Sequence, residues 1–266
     1  MSDSPLHTLD PLERFSRRAA AYARHRPDYP PSAIEAVLKG VGNGGEIVVA
    51  DVGAGTGISS RMLAERGARV RAVEPNAAMC SLIPPDPRIE PVAGGAESLP
   101  FDEGSIDLVT AFQSFHWFDP ERFLAEAHRV LRPRGRIALV WNERDDERDP
   151  FTADYRRIVR EASGNHPAES RMEQTAPLYA SSLFTNARRS VFPHRQILDR
   201  DALLGRLLSI SYLPHEGEAW ERLAAAMLEL HARRADSDGR VALVYETRVY
   251  LAERALRDFD VEPTGR

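Results

Sequence analysis

The sequence has one cysteine, Cys80, and one lysine, Lys39. A lone cysteine excludes an internal disulfide and a cysteine-cluster metal site, and it fits a reducing compartment. The 35 Lys and Arg residues are interspersed with 40 Asp and Glu, giving a net charge of −5. Without a basic face, a nucleic-acid partner is not expected. The eight histidines show no metal-ligand spacing, and no metal is expected. No apolar run approaches the roughly 18 residues of a membrane span, and the N-terminal stretch lacks the apolar segment of a signal peptide. Neither secretion nor membrane insertion is expected, and the expected location is cytoplasmic. Internal repeats and low-complexity linkers are missing as well.

What is present is ordinary for a globular chain: 42% hydrophobic and 28% charged residues over 266 positions. That length buries a full core in a single domain. The expected organisation is a helical cap over 1–42, a ligand-binding core over 43–142, and pocket-shaping helices with final strands over 143–266.

Asp10-Pro11-Leu12-Glu13 predicts a helix start, and that helix must end before Arg26-Pro27. Ser32-Ala33-Ile34-Glu35 predicts a second capped helix, stopped by Gly40 and Gly42. From there strand and helix alternate. Strands are predicted at Glu46–Ala50, Arg69–Val73, Arg88–Val92, Ile106–Phe112 and Arg136–Trp141. Helices are predicted at Ile58–Arg66, at Ala77–Ile83 and from Asp119-Pro120-Glu121 onward. Five alternations predict a parallel, doubly wound sheet with helices on both faces. Beyond Trp141 the signals are a helix from Asp149-Pro150 to about Ser163, then a long loop, Gly164–Pro177. A strand at Ser190–Gln196, helices at Asp201–Ser209 and Ala219–Arg233, and a strand at Arg240–Ala252 follow. The late elements are expected to complete the same sheet, seven strands in all and mostly parallel.

The chemistry concentrates at Asp51-Val52-Gly53-Ala54-Gly55-Thr56-Gly57, between the first strand and the next helix. Ligands of doubly wound sheets bind at this end of the strands. Glu74 closes the second strand, where an acid can accept both hydroxyls of a ribose. Two nucleoside readings follow, a dinucleotide or S-adenosylmethionine. The dinucleotide pattern G-x-G-x-x-G fails, because its last glycine position is Ile58 or Ser60. Asp51 would repel a diphosphate and would suit a ligand carrying an ammonium group. The electrostatics favour S-adenosylmethionine.

Taken together, "DVGAGTG", "AVEPN", "GGAESLPF", "AFQSFHWF" and "RVLRPRGRIALVWNERD" resemble, in order, the motifs of class I S-adenosylmethionine-dependent methyltransferases of the type 11 family. "YARHRPDYP" and "DRDALLGRLLSISYLP" resemble the trans-aconitate methyltransferase-like subgroup that carries an FHWF segment. The resemblance spans about residues 12–142 and implies a Rossmann-like methyltransferase fold with an N-terminal helical lid. It also implies roles. The backbone at Gly53, Ala54 and Gly55 would hold the methionine part and ribose. Asp51 would face the ammonium, directly or through water. Glu74, with Pro75 beside it, would take the ribose hydroxyls. Met79 would pack on adenine, Ala96 would offer its amide to the base, and Glu97 would sit at the exocyclic amine. Gln113 and Ser114 would line the methionine side. Tyr22 and Arg26 would belong to a lid over the cofactor, with Arg26 paired to cofactor or to an acidic substrate.

Methyl transfer from a sulfonium is an in-line displacement in which positioning and exclusion of water matter most. For a hydroxyl or carbon acceptor a base is required, and His116 is the candidate. Tyr29, Phe115, Trp117 and Tyr212 are the candidate acceptor-pocket residues. The expected reaction is transfer to an O, C or N atom of a small molecule, a carboxylate or a natural-product intermediate among them, with S-adenosylhomocysteine as product and a monomer or homodimer as the working form. Two other readings stay open here: an S-adenosylmethionine-binding protein with a regulatory or cyclase role, and a nicotinamide-dependent oxidoreductase.

Overall fold

The structure, a computed structural model, describes residues 19–42, 45–166 and 175–256, with side chains from residue 22 onward. The helix start expected at Asp10 lies outside the described residues. Helix α1 runs Ala19–His25 and α2 Pro31–Leu38. The capping box expected at Ser32 does not form. Instead Pro30 occupies the N-cap and Pro31 the first helical position, where a missing N–H costs nothing.

Strand β1 is Val48–Val52, α3 is Ile58–Ala64, and β2 is Arg69–Val73. The first strand thus sits two residues later than expected and takes in Asp51. Helix α4, Ala77–Cys80, is capped by the Asn76 side chain, which accepts from the Met79 amide. Strand β3 is Ile89–Val92 and β4 is Ile106–Phe112, every residue of β4 buried. Helix α5, Pro120–Val130, is capped by Asp119. Strand β5, Leu131–Arg144, starts earlier than expected because Arg132-Pro133-Arg134-Gly135 bulges out of the ladder without ending it.

Helix α6, Pro150–Ala162, is capped by Asp149, and α7 is Ala176–Ala180. Part of the loop expected over Gly164–Pro177 lies outside the described residues. Strand β6 spans Phe184–Leu198, α8 Arg200–Leu208, α9 Gly217–Arg234 and β7 Val241–Arg254.

The seven strands form one sheet in the order β3-β2-β1-β4-β5-β7-β6. Strands β1 to β5 are parallel, and β7 runs antiparallel between β5 and β6. This is the expected doubly wound, mostly parallel sheet. The order reverses between β1 and β4, so a crevice opens at their carboxyl ends. One face is packed by Phe115, Phe123, Trp141 and Tyr250, the other by Tyr29, Ile34, Val37 and Leu63. A third cluster joins α6, α8 and α9 to the far ends of β6 and β7 through Tyr155, Leu203, Met227 and Tyr245. The late elements therefore stand beyond the crevice and supply its outer wall.

Candidate active site

The turn after β1 is built for close approach. Gly53, Gly55 and Gly57 have φ of +70°, +59° and +80°, the left-handed region that glycine enters freely. A side chain at Gly53 would stand 2.6 Å from the Ser114 Cβ, and one at Gly55 would stand 3.2 Å from the Met79 Cε. Ser114 is itself fixed, its hydroxyl donating to the Val52 carbonyl at 2.8 Å.

The turn amides point inward. Those of Gly53 and Ala54 donate to the Val73 carbonyl at 2.9 and 3.1 Å. The Gly55 amide donates to Glu74 Oε2 at 2.8 Å, and the Asn76 amide donates to Glu74 Oε1 at 2.9 Å. A diphosphate site needs such amides directed at the ligand. Here they are engaged, one of them by a carboxylate. Burial pushes the Glu74 carboxyl above its usual range, and the two backbone hydrogen bonds oppose that rise.

Asp51 is held by hydroxyls beneath the turn. Its carboxylate is fully enclosed and accepts from Ser59 Oγ at 2.7 Å, Ser60 Oγ at 2.6 Å and Thr110 Oγ1 at 2.8 Å. It braces β1, β4 and the start of α3 from beneath and does not line the cleft. Burial raises its pKa, and the hydroxyls pull it back.

The cleft gathers ten of the expected residues: Tyr22, Arg26, Tyr29, Gly53, Ala54, Gly55, Gln113, His116, Trp117 and Tyr212. Tyr29 meets Phe112 edge-on with ring centres 4.7 Å apart. The Arg26 guanidinium lies 4.6 Å from the centre of the Tyr22 ring. Gln113, at φ +52°, ends β4 in a conformation uncommon for a non-glycine residue, and its Oε1 accepts from the Asn142 amide at 3.2 Å. Glu74, Pro75, Met79, Ala96, Glu97 and Ser114 are not on this wall. Met79 and Ala96 are buried, Pro75 is exposed, and Glu97 Oε1 accepts from the Asp119 amide at 2.9 Å.

Phe115 requires a correction. Its side chain turns into the core among Phe118, Phe123 and Trp141, away from the cleft, because it alternates with His116 along a single 3-10 turn. His116 faces the cleft side. Its Nδ1 is buried without a hydrogen-bond partner, and burial together with the Arg26 charge pushes its pKa down to about 3. The imidazole is neutral at pH 7.

Sequence reasoning missed Asn142, Arg144, Arg156, Arg206 and Tyr245, all on the cleft wall. The one legible signal was Arg206, a charged residue three positions from Leu203 on the apolar face of a helix.

Residues 50–139 match the family described as a methyltransferase domain. A methyltransferase of Mycobacterium tuberculosis is 36% identical over 199 residues, 74% of this chain and 76% of that one. A methyltransferase of Schizosaccharomyces pombe is 30% identical over 221 residues, 81% and 86% of the two chains. The chain belongs to the class I S-adenosylmethionine-dependent methyltransferases. The fold agrees with a solved structure assigned as a type II methyltransferase from Anaeromyxobacter dehalogenans. That protein has a TM-score of 0.63 and 23% identity, with 86% of this chain and 97% of that one covered.

The enzyme uses S-adenosylmethionine and releases S-adenosylhomocysteine. The cradle fits that cofactor: beside the turn Glu74, fixed by the Gly55 and Asn76 amides, offers a carboxylate in place of outward amides. Membership of that family sets aside the nicotinamide-dependent oxidoreductase reading. Among the described residues, no helix is long and apolar enough to cross a membrane.

Proposed function

We propose that this methyltransferase acts on a small molecule, at an O, C or N atom, in the cleft between the glycine turn and the α8 wall. The observation that carries this reading is the wall itself. It joins Gly53–Thr56 to aromatic residues from three separate elements, Tyr22 and Tyr29, Trp117, and Tyr212. Such a compartment excludes water and accommodates a small acceptor beside the cofactor. The FHWF segment and the flanking motifs support membership of the trans-aconitate methyltransferase-like subgroup.

The cofactor supplies an electrophilic methyl group on a sulfonium when bound. The protein's own residues do the rest. Glu74 uses one acceptor position on each oxygen for Gly55 and Asn76, leaving capacity for two ribose hydroxyls. Met79, Ala96 and Glu97, with Pro75 beside them, are proposed to serve the adenine end. Gln113 and Ser114 are proposed to hold the methionine end. Tyr22 is proposed to serve the cofactor from α1, which is the proposed lid. Asp51 acts through the turn that it braces. Neutral His116, with Nδ1 free to accept, is the proposed base for an acceptor that must lose a proton. Tyr29, Trp117 and Tyr212 shape the acceptor space.

The test is release of S-adenosylhomocysteine from the purified enzyme with a panel of hydroxyl, carboxyl and indole acceptors. Turnover of at least one acceptor is expected, together with a loss of cofactor affinity of about tenfold or more in Glu74→Ala. A cofactor affinity unchanged in that variant would remove Glu74 from the ribose site.

A further inference from the structure

The end of β4 is held in an unusual way. Gln113 has a φ of +52°, a setting that a non-glycine residue keeps only where its surroundings hold it. Both ends of the residue are fastened to β5. Its amide donates to the Val140 carbonyl at 2.8 Å, and its Oε1 accepts from the Asn142 amide at 3.2 Å. A backbone N–H can only donate, so the carboxamide oxygen must face it. The NH2 end of Gln113 is thereby left for the cleft that this residue lines.

Asn142 is only 3% exposed, and its side chain makes two more contacts. Its Nδ2 donates to the Asp28 carbonyl at 2.9 Å, and its Oδ1 accepts from Thr247 Oγ1 at 2.6 Å, across the β5–β7 pair. The Asp28 carbonyl can only accept, so the amide nitrogen must face it, and the Thr247 hydroxyl is then the donor to Oδ1.

Asp28 stands in the turn between α1 and α2, two residues past Arg26 and one before Tyr29, both on the cleft wall. On the other side this turn is fastened to β6 and α8. Gln196 Nε2 donates to the His25 carbonyl at 2.8 Å, Arg26 Nη2 donates to the Ser209 carbonyl at 3.0 Å, and His194 Nε2 lies 3.3 Å from Asp28 Oδ1. Gly205 lets α1 come against α8, since a Cβ there would stand 2.4 Å from the His25 ring. Asn142 joins the same turn to the β4–β5 side, where the cofactor cradle begins. Tyr29 and Phe112, the chain neighbours of the two residues that it links, meet edge-on.

We propose that Asn142 is a positioning residue of this site. Locked by Thr247, it holds the root of the α1 lid and the Gln113 carboxamide in one arrangement, the one that receives the cofactor. It touches no reacting atom and acts through Asp28 and Gln113. The proposal rests on the cofactor roles given above to Gln113 and to α1.

The test is calorimetric titration of the full chain with S-adenosylhomocysteine at pH 8 and pH 5. Wild type is compared with Asn142→Asp, Asn142→Ala and Thr247→Val. Asn142→Asp keeps the size of the side chain but sets a carboxylate where the donor was. At pH 8 it is expected to bind about tenfold more weakly than wild type. Burial and the facing Asp28 carbonyl raise the pKa of such a carboxyl, so it takes up a proton as pH falls and can donate to that carbonyl again. At pH 5 its affinity relative to wild type is therefore expected to recover several-fold. Asn142→Ala is expected to stay weak at both pH values. Groups common to all the proteins, Asp28 and His194 among them, cancel in these ratios. Wild-type affinity in Asn142→Asp at pH 8 overturns the proposal. A deficit that matches Asn142→Ala at both pH values also overturns it, and would make Asn142 a packing residue. Should Asn142→Asp fail to fold, Thr247→Val decides: a several-fold loss of affinity is expected, and undiminished affinity overturns the proposal. Failure of the wild type to bind S-adenosylhomocysteine at all would instead count against the cofactor site.

Discussion

At Asp51 the three hydroxyl donors account for the carboxylate, so its removal strands Ser59, Ser60 and Thr110 in the core. Asp51→Ala is expected to destabilise the cofactor-free protein by about 3 kcal/mol, and Asp51→Asn by much less, since an amide can still accept. Thermal or urea unfolding checks this. An unchanged apo stability in the alanine variant would restore the direct ligand role. His116 gives a second prediction at this scale. Its folded pKa of about 3 lies below the value near 6.5 of an unfolded histidine, so the unfolded state takes up the proton first. The His116 contribution is intact above pH 6.5 and is lost as pH falls toward 3. Relative to wild type, His116→Phe should gain about 2 kcal/mol between pH 7 and pH 5. Turnover that depends on neutral His116 should be flat across that range, and an acid limb near pH 6.5 would show that the imidazole is solvated in the working enzyme. The sequence showed that His116 lay after β4, but its lowered pKa comes from burial in the surrounding fold and from the Arg26 charge, which spacing along the chain does not encode.

Elements announced themselves where local chemistry decides. Strands β2 and β4 have the expected ends, and Asp119 and Asp149 cap α5 and α6 as their Asp-Pro pairs suggested. Elsewhere the tertiary ladder prevailed. Strand β6 reaches Phe184–Leu198, well past Ser190–Gln196, because β7 supplies partners along the whole length of a polar edge. The α8 helix begins at Arg200 under an Asp199 cap that accepts from the Ala202 amide, one residue before the expected Asp201 start. The seam of α1 on α8 was invisible in the sequence, because Gly205 looks like a weak helix residue until His25 is placed against it. Gly205→Ala raises intrinsic helix propensity by about 1 kcal/mol. It is nevertheless expected to weaken S-adenosylhomocysteine binding several-fold by displacing Tyr22 and Arg26, with faster amide exchange over residues 22–26 as the accompanying sign. A variant that binds as well as wild type would show that the seam yields without consequence.

The described strands form one sheet, to which both the 43–142 stretch and the later part contribute. Strand β7 pairs with both β5 and β6, and Trp141 and Tyr250 meet across it with ring centres 5.8 Å apart. A fragment ending at Asn142 leaves the long apolar ladder of β5 uncovered. It is expected to be insoluble or aggregated by size-exclusion chromatography, and a monomeric fragment with dispersed amide resonances would contradict that. The parallel, doubly wound arrangement of β1 to β5 was legible because strand and helix alternate and crossover handedness restricts the choices. The insertion of β7 inside β6 was not, since alternation marks a strand without naming its neighbours.

That inverted placement bears on how the protein is made. Among the described strands the one translated last is an interior one, so a nascent chain carries an open seam at β5 until β7 has left the ribosome. Closure of the sheet at β5 therefore waits for β7, and until then a holdase chaperone would find a strand edge to protect.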